Sequence, residues 1–174
     1  IGGANWGPYD ESQAVRAIET AIDLGVTTID TAPAYGGGHA EELIGRVIKG
    51  KRDRIVIATK CGIDMQNGFR YDLTPAFMEQ ELENSLRRLG TDYIDLYQPH
   101  WPDPATPVEY TMEALERFQA QGKIRAVGVS NFSAGNLAEA LAFGRIASLQ
   151  PPYSLLDRDI EKEIQPLCVS AGSP

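Results

Sequence analysis

The sequence predicts an α/β fold, a (β/α)8 TIM barrel of which this chain covers about six strands. Short apolar runs alternate with amphipathic helical segments along all 174 residues. Such alternation indicates a parallel sheet with helices on its outside. No GxGxxG turn follows the first predicted strand, although a doubly wound dinucleotide-binding sheet would require one. The regular spacing of strands and helices therefore favours the barrel.

The helical segments are marked by capping residues and by a glycine at the end of most of them. Asp10 and Gln13 occupy capping-box positions before the first apolar stripe, and Thr106 and Glu109 repeat this pattern. Thr74 precedes a proline at the first helical position. Glycine commonly follows the last turn of a helix. The predicted helices are 10–25, 40–49, 74–90, 106–122, 134–143 and 158–165.

The segments between these helices are brief and rich in β-branched residues. Strands that are buried on both faces of a parallel sheet have this composition. Neither a linker nor a low-complexity segment interrupts them, so residues 1–174 are predicted to form a single domain. The predicted strands are 26–29, 54–59, 92–97, 124–129 and 146–149, and residues 1–5 are expected to be the tail of another strand.

The composition argues against several classes of function. With 43% hydrophobic residues and a net charge of −8, the chain suits a globular protein, not one that binds nucleic acid or an anionic membrane. Cys61 and Cys168 form neither a CxxC motif nor a metal-type spacing, which favours a reducing compartment and no metal site. No apolar run approaches the ~20 residues of a membrane span, and the first residues lack the features of a signal peptide. We therefore expect a cytoplasmic protein.

Polar side chains stand at the end of each predicted strand. Because the carboxyl ends of barrel strands face one mouth, these residues are the candidates for function. Neighbouring strands lie ~4.8 Å apart, so Asp30 and Lys60 are expected to be neighbours, with His100 one strand further. Tyr35, on the loop after Asp30, reaches over the same mouth. The other polar residues at strand ends are Gln98, Ser130, Asn131 and Gln150.

Each of these residues taken singly has a common structural role, such as capping a turn or covering the core. Their occurrence on successive strands of one barrel face points to a chemical purpose, which is proton donation by Tyr35. A phenol is a reluctant acid at neutral pH. An ammonium group ~4 Å away stabilises the phenolate by about 4 kcal/mol at an effective dielectric constant of ~20.

Lys60 is the expected source of that charge. Asp30 would hold the Lys60 ammonium in place, and His100 would donate a hydrogen bond to a carbonyl oxygen and orient it. None of these residues is an activated nucleophile, so the set suits the addition of a proton to a carbonyl. A side chain cannot supply the hydride that completes such a reduction. A nicotinamide cofactor is therefore implied.

Five motifs resemble those of the aldo-keto reductase family, in the same order and at the expected strand ends. GVTTIDTAPAYGGGHAEELIG resembles the family's first signature, IVIATKCG the strand with its lysine, and TDYIDLYQPHWPD the strand with its histidine. GKIRAVGVSNF is similar to its cofactor-binding strand, and LQPPYSLLDR to the strand with its glutamine. By this resemblance the catalytic residues are Asp30, Tyr35, Lys60 and His100, while Ser130, Asn131 and Gln150 hydrogen-bond the carboxamide of the nicotinamide.

The resemblance also implies a substrate class and a cofactor. The family reduces small-molecule aldehydes and ketones, with NADPH more often than NADH, and binds the cofactor without a Rossmann fold. We therefore predict NADPH as the cofactor, with NADH as the alternative. Trp6 and Trp101 are candidate walls of the substrate pocket, or else buried packing residues.

Two other functions stay open on the sequence alone. A redox-sensing regulatory subunit of the same fold would bind NADPH and a partner protein with little turnover. A sugar-phosphate enzyme would use the YGGGH segment, at the start of a helix, as a phosphate site. Residues 1–174 resemble a single aldo-keto reductase barrel domain that is incomplete on its C-terminal side, since a barrel usually takes ~250 residues.

Overall fold

The computed structural model describes residues 10–66 and 68–172. Trp6 and the strand predicted at 1–5 therefore lie outside the described residues. The α-helices are α1 (Glu11–Asp23), α2 (His39–Val47), α3 (Pro75–Leu89), α4 (Val108–Ala120), α5 (Ala134–Leu141) and α6 (Ile164–Ala171). The strands are β1 (Thr28–Asp30), β2 (Val56–Cys61), β3 (Ile63–Asp64), β4 (Arg70–Tyr71), β5 (Ile94–Pro99), β6 (Ile124–Ser130) and β7 (Ser148–Gln150).

Five of these strands form a parallel sheet in the order β1-β2-β5-β6-β7, which confirms the predicted fold class. Each of these five strands ends one or two residues later than predicted, and all except β6 also start two residues later. Asp30, Lys60 and Gln98 are therefore strand residues and do not follow the strands. The parallel ladder continues through the polar positions, with Lys60 in register with Gln98 and Ser130 in register with Gln150.

Local hydrogen bonds fix two of the helix starts as predicted. Asp10 accepts hydrogen bonds from the main-chain N–H groups of Ser12 (2.8 Å) and Gln13 (3.2 Å). Ser133 forms a capping box with Asn136 at the start of α5. These side chains satisfy N–H groups that have no partner within the first turn of the helix.

Two predicted helix starts are wrong. α4 begins two residues after Thr106, because the Thr106 hydroxyl donates to Asp103 at 2.7 Å instead of capping the helix. The last helix does not occupy 158–165, since a short 3-10 turn, Asp159–Glu161, precedes α6. Pro166 explains the shift, because proline is tolerated in the first turn of a helix but not in its interior.

The core lies between the sheet and the helices that connect its strands. Ile18 and Ile22 of α1 are buried in it. Each buried side chain of this size contributes ~1.5–3 kcal/mol. Within the described residues, no helix combines the length and the apolar character that a membrane crossing requires. The predicted apolar stripe of α3 is also buried and comprises Met78, Leu82, Leu86 and Leu89.

A short β-hairpin that the sequence analysis did not predict follows β2. β3 and β4 pair antiparallel, with Ile63 opposite Tyr71 and Asp64 opposite Arg70. The Arg70 guanidinium group binds the buried Asp64 carboxylate at 3.0 Å. Strands of two residues are too short to show a hydrophobic period, so the pattern missed them. The hairpin begins at the carboxyl end of β2, the strand that carries Lys60.

Candidate active site

Lys60 lies near the carboxyl end of β2 with its ammonium group almost fully buried. The side chain is 2% exposed, and Nζ donates to both carboxylate oxygens of Asp30 at 2.8 Å. Nζ also donates to the main-chain oxygen of Thr31 at 3.0 Å. A buried ammonium group is tolerated only when it is paired and hydrogen-bonded, as it is here. The parallel pairing of β1 with β2 therefore brings Asp30 and Lys60 together, as the sequence predicted.

Tyr35 reaches this ion pair from the loop after β1. Its hydroxyl oxygen lies 3.5 Å from Lys60 Nζ, and its side chain is open to solvent on the other side. Tyr35 begins a tight turn in which Gly36 and Gly37 have φ values of 65° and 63°. Only glycine adopts such left-handed conformations readily, so the turn that positions the phenol depends on them.

The third glycine of that turn has a packing role that the sequence did not indicate. Gly38 also has a positive φ, and an added Cβ would lie 2.7 Å from Cδ of Arg88 on α3. In the structure, the close neighbour of Gly38 is the Arg88 side chain.

His100 directly follows β5 and packs edge-to-face on Tyr35. The two ring centroids are 5.9 Å apart, and the rings are inclined at 82°. Burial and the nearby Lys60 ammonium group lower the pKa of His100 to about 4, and the Asp30 carboxylate only partly opposes them. The imidazole is therefore neutral at pH 7. A neutral imidazole can donate one hydrogen bond but is not a source of an easily lost proton.

Ser130, Asn131 and Gln150 lie together at the adjacent ends of β6 and β7. The Ser130 hydroxyl donates to the main-chain oxygen of Gln150 at 3.0 Å. The Asn131 side-chain amide donates to the main-chain oxygen of His100 at 2.8 Å and to Ser130 Oγ at 3.1 Å. Asn131 Oδ1 accepts no hydrogen bond in the described part of the chain. The amide N–H groups are thus engaged within the protein, and the oxygen stays free for a ligand.

Trp101, the residue after His100, is one of three aromatic residues that pack together next to the catalytic candidates. It is 37% exposed and stacks on Tyr71 of the hairpin, with centroids 6.1 Å apart. Phe69 packs edge-to-face on Tyr71 at 5.5 Å. Phe69 and Tyr71 were not predicted from the sequence, although a spacing of two residues would place both on one face of a strand. In the structure, Phe69 lies just before β4. Trp6, the other predicted wall of the pocket, lies outside the described residues.

The start of α2 is a poor phosphate site. Glu41 and Glu42 both lie in its first turn, and His39 at its first position is within 3.2 Å of the Glu11 carboxylate. Carboxylates already occupy the favourable end of the helix dipole and repel a second anion. This arrangement disfavours the sugar-phosphate alternative.

Comparison with known proteins identifies the family. The model of the aldo/keto reductase family matches residues 1–174, and the chain belongs to that family. The chain is 48% identical over 170 residues to the aldo-keto reductase YhdN of Bacillus subtilis strain 168, a match that covers 95% of this chain and 51% of that relative. It is 37% identical over 187 residues to the NADH-specific methylglyoxal reductase of Escherichia coli K12, which covers 98% of this chain and 57% of the relative.

Comparison with solved structures supports the same family assignment. The crystal structure of an aldo/keto reductase from Klebsiella pneumoniae in complex with NADP and acetate superposes with a TM-score of 0.83 at 37% identity. This match covers 100% of our chain and 60% of that one. The chain therefore spans between about half and three-fifths of the length of these three proteins.

Proposed function

We propose that this chain forms part of the active site of an NAD(P)H-dependent carbonyl reductase that converts small-molecule aldehydes or ketones to alcohols. We further propose that residues 1–174 belong to one barrel domain. The observation that carries the functional proposal is the position of the buried Lys60 ammonium group, held by Asp30 at 2.8 Å and 3.5 Å from the Tyr35 hydroxyl. A buried cation beside a phenol is the arrangement that makes the phenol a usable acid.

In this mechanism Tyr35 is the general acid. Its hydroxyl gives its proton to the carbonyl oxygen of the substrate, and the Lys60 ammonium group stabilises the phenolate that results. Asp30 keeps Lys60 oriented and balances its charge. Neutral His100 donates a hydrogen bond to the same carbonyl oxygen and fixes its direction, since its low pKa leaves it uncharged at pH 7. A nicotinamide cofactor, when bound, supplies the hydride to the carbonyl carbon.

The donor and acceptor set at the ends of β6 and β7 fits a nicotinamide carboxamide. Asn131 Oδ1 would accept from the carboxamide NH2 group, and Ser130 Oγ would offer a second polar contact. Neutral groups of this kind suit an amide better than a phosphate. A role for the Gln150 side chain is part of the proposal, although its exposed side chain has no hydrogen bond within the described residues.

Two buried polar side chains, in the layer of the sheet below Ser130 and Gln150, support binding of the cofactor at this end of the sheet. The side-chain oxygens of Gln98 and Ser148 are buried without a hydrogen-bond partner in the described residues. Both converge on Gly128, where an added Cβ would lie 2.7 Å from Ser148 Oγ and 3.0 Å from Gln98 Oε1. Glycine keeps this space open, and a ligand or water would satisfy the two oxygens.

The relatives support the choice of cofactor and substrate class. One is named an NADH-specific methylglyoxal reductase, and another was crystallised with NADP and acetate. We therefore propose NADPH as the cofactor, with NADH as the alternative, and a small carbonyl compound as the substrate. A cytoplasmic location is proposed with it.

Turnover of 4-nitrobenzaldehyde by the purified protein tests the proposal. Oxidation of NADPH or NADH that depends on the aldehyde is the expected result. Binding of the cofactor without turnover would instead favour the regulatory-subunit alternative. Failure to bind either cofactor would refute both functions, since each requires a nicotinamide site.

A further inference from the structure

A cavity of about 300 Å³ lies beside the loop that carries Tyr35. We call it the rim cavity, and none of the four proposed catalytic residues lines it. It lies between that loop, the β3–β4 hairpin and α3. Its volume falls at the lower end of the range for small-molecule sites. Its lining includes Pro33 and Gly37 from the loop, Ile63 from the hairpin, and Phe77, Glu81 and Asn84 from α3.

Glu81 lines the rim cavity with a carboxylate that is only half paired. The residue is 8% exposed, and its Oε2 accepts a hydrogen bond from the Gly62 N–H at 2.5 Å. Its Oε1 has no hydrogen-bond partner within residues 10–66 and 68–172. This oxygen is not among the fully buried side-chain atoms that lack a partner, so it is open to the cavity. The second oxygen is therefore available to a ligand that carries a donor.

The charge around the cavity favours a cation over an anion. Arg88 is neutralised by Glu41 at 2.7 Å, and Arg70 by Asp64 at 3.0 Å. Both arginines of the lining thus have their own carboxylate partners. When it is ionised, Glu81 adds a negative charge that forms no ion pair within the described residues. An anionic ligand would meet this charge without a free positive group to balance it.

The protonation of Glu81 is set by its surroundings. Burial raises the pKa of Glu81 to about 7, and the Gly62 N–H is the main influence that opposes this. A cation would compete with the proton for the carboxylate, so its binding should strengthen as the pH rises through that value. The charged or titratable groups near Glu81 are Glu41, Asp64 and Arg88, with Cys61 and Tyr97 on the sheet side.

We propose that the rim cavity binds a small organic cation, in which an ammonium or amidinium group is attached to a compact apolar body. The cationic group donates to Glu81 Oε1, and the body packs against Phe77, Pro33 and Ile63. Because Pro33 and Gly37 belong to the loop that carries Tyr35, the occupant contacts that loop. The site does not depend on the proposed reductase activity.

Benzamidine, a planar amidinium, is the probe for this site. Its binding is followed by two-dimensional 1H–15N NMR, with the main-chain N–H groups of Gly62 and Gly37 as reporters. Benzamide and benzoate serve as neutral and anionic analogues of the same shape. Glu81→Gln keeps an acceptor for the Gly62 N–H but removes the charge. Glu79→Gln is the matched control, because Glu79 lies on the same helix outside the cavity and faces Arg117 at 3.6 Å.

The expected result is a saturable shift of both reporters by benzamidine, and much weaker shifts by the two analogues. Loss of a charged hydrogen bond should weaken binding by about tenfold or more in Glu81→Gln and leave Glu79→Gln unchanged. In the unmodified protein, binding should be tighter above pH 7 than below it, a test that needs no variant. Equal binding of benzamide or benzoate, an unaffected Glu81→Gln variant, or the absence of saturable shifts would each overturn the proposal.

Discussion

The side-chain amide of Asn131 donates a hydrogen bond to the main-chain carbonyl oxygen of His100 at 2.8 Å. Asn131 is the one non-glycine residue with a positive φ (59°) among the described residues. This conformation is uncommon, although asparagine adopts it more readily than most residues. The His100 N–H is held as well, by the main-chain oxygen of Cys61 at 2.8 Å. Asn131 therefore joins the proposed carboxamide site to the residue that would orient the substrate.

Asn131→Gly should weaken the binding of NADPH and NADH by a similar factor, about five- to tenfold for one lost hydrogen bond. Glycine keeps the left-handed backbone, so the variant removes the amide without adding strain. Fluorescence titration with each cofactor measures both dissociation constants. A loss confined to NADPH would mean that Asn131 lies near the adenosine phosphate and not at the carboxamide.

Tyr35→Phe should lower carbonyl reduction by ~10²–10⁴-fold, because the phenol is the proposed general acid. Cofactor affinity should stay within a few-fold of the original. Tyr71→Phe is the matched control, since its hydroxyl belongs to the hairpin and does not contact Lys60, whose ammonium group donates to Asp30, Thr31 and Tyr35. Steady-state kinetics of the two variants decide the assignment, and retained activity in Tyr35→Phe would contradict it.

Lys60→Met should reduce activity more than Asp30→Asn. The methionine removes the charge that stabilises the Tyr35 phenolate, whereas the asparagine leaves the ammonium group with its bond to the Thr31 main-chain oxygen at 3.0 Å. The measurement is the turnover number of both variants under the same conditions, with thermal unfolding as a control for folding. A larger loss in Asp30→Asn than in Lys60→Met would contradict this division of roles.

Glu81 should make the stability of the fold depend on pH. Burial raises its pKa from 4.5 in the unfolded chain to about 7 in the folded protein. The folded protein thus holds a proton that the unfolded chain releases over this interval. The free energy of unfolding should therefore fall as the pH rises from 4.5 towards 7, by a few kcal/mol at most.

Glu81→Gln should remove this part of the pH dependence, because glutamine does not titrate. Denaturant unfolding of both proteins at several pH values measures the difference. The variant should gain stability relative to the original protein as the pH rises. A parallel pH dependence in the two proteins would show that Glu81 is not the group responsible.

The sequence by itself determined the order of the helices and of the five parallel strands, and the chemistry of the strand ends. Short β-branched runs between capped helices have few alternatives to a parallel sheet, and parallel strands place their carboxyl ends at one edge. Asp30 and Lys60 could therefore be paired from the sequence alone. The hydrophobic pattern does not define the strand limits, because the parallel ladder continues through the polar residues Asp30, Lys60 and Gln98.

Only the tertiary structure decided how these residues are held and what surrounds them. The contact of Gly38 with Arg88 and the bond from Asn131 to His100 join segments far apart in the chain, and the hairpin strands are too short to show a pattern. Local pattern contains no information on such contacts, because each depends on the packing of two elements. The half-paired carboxylate of Glu81 also depends on tertiary packing. In the sequence Glu81 is one more acidic residue on a helix, and only its burial in the fold distinguishes it.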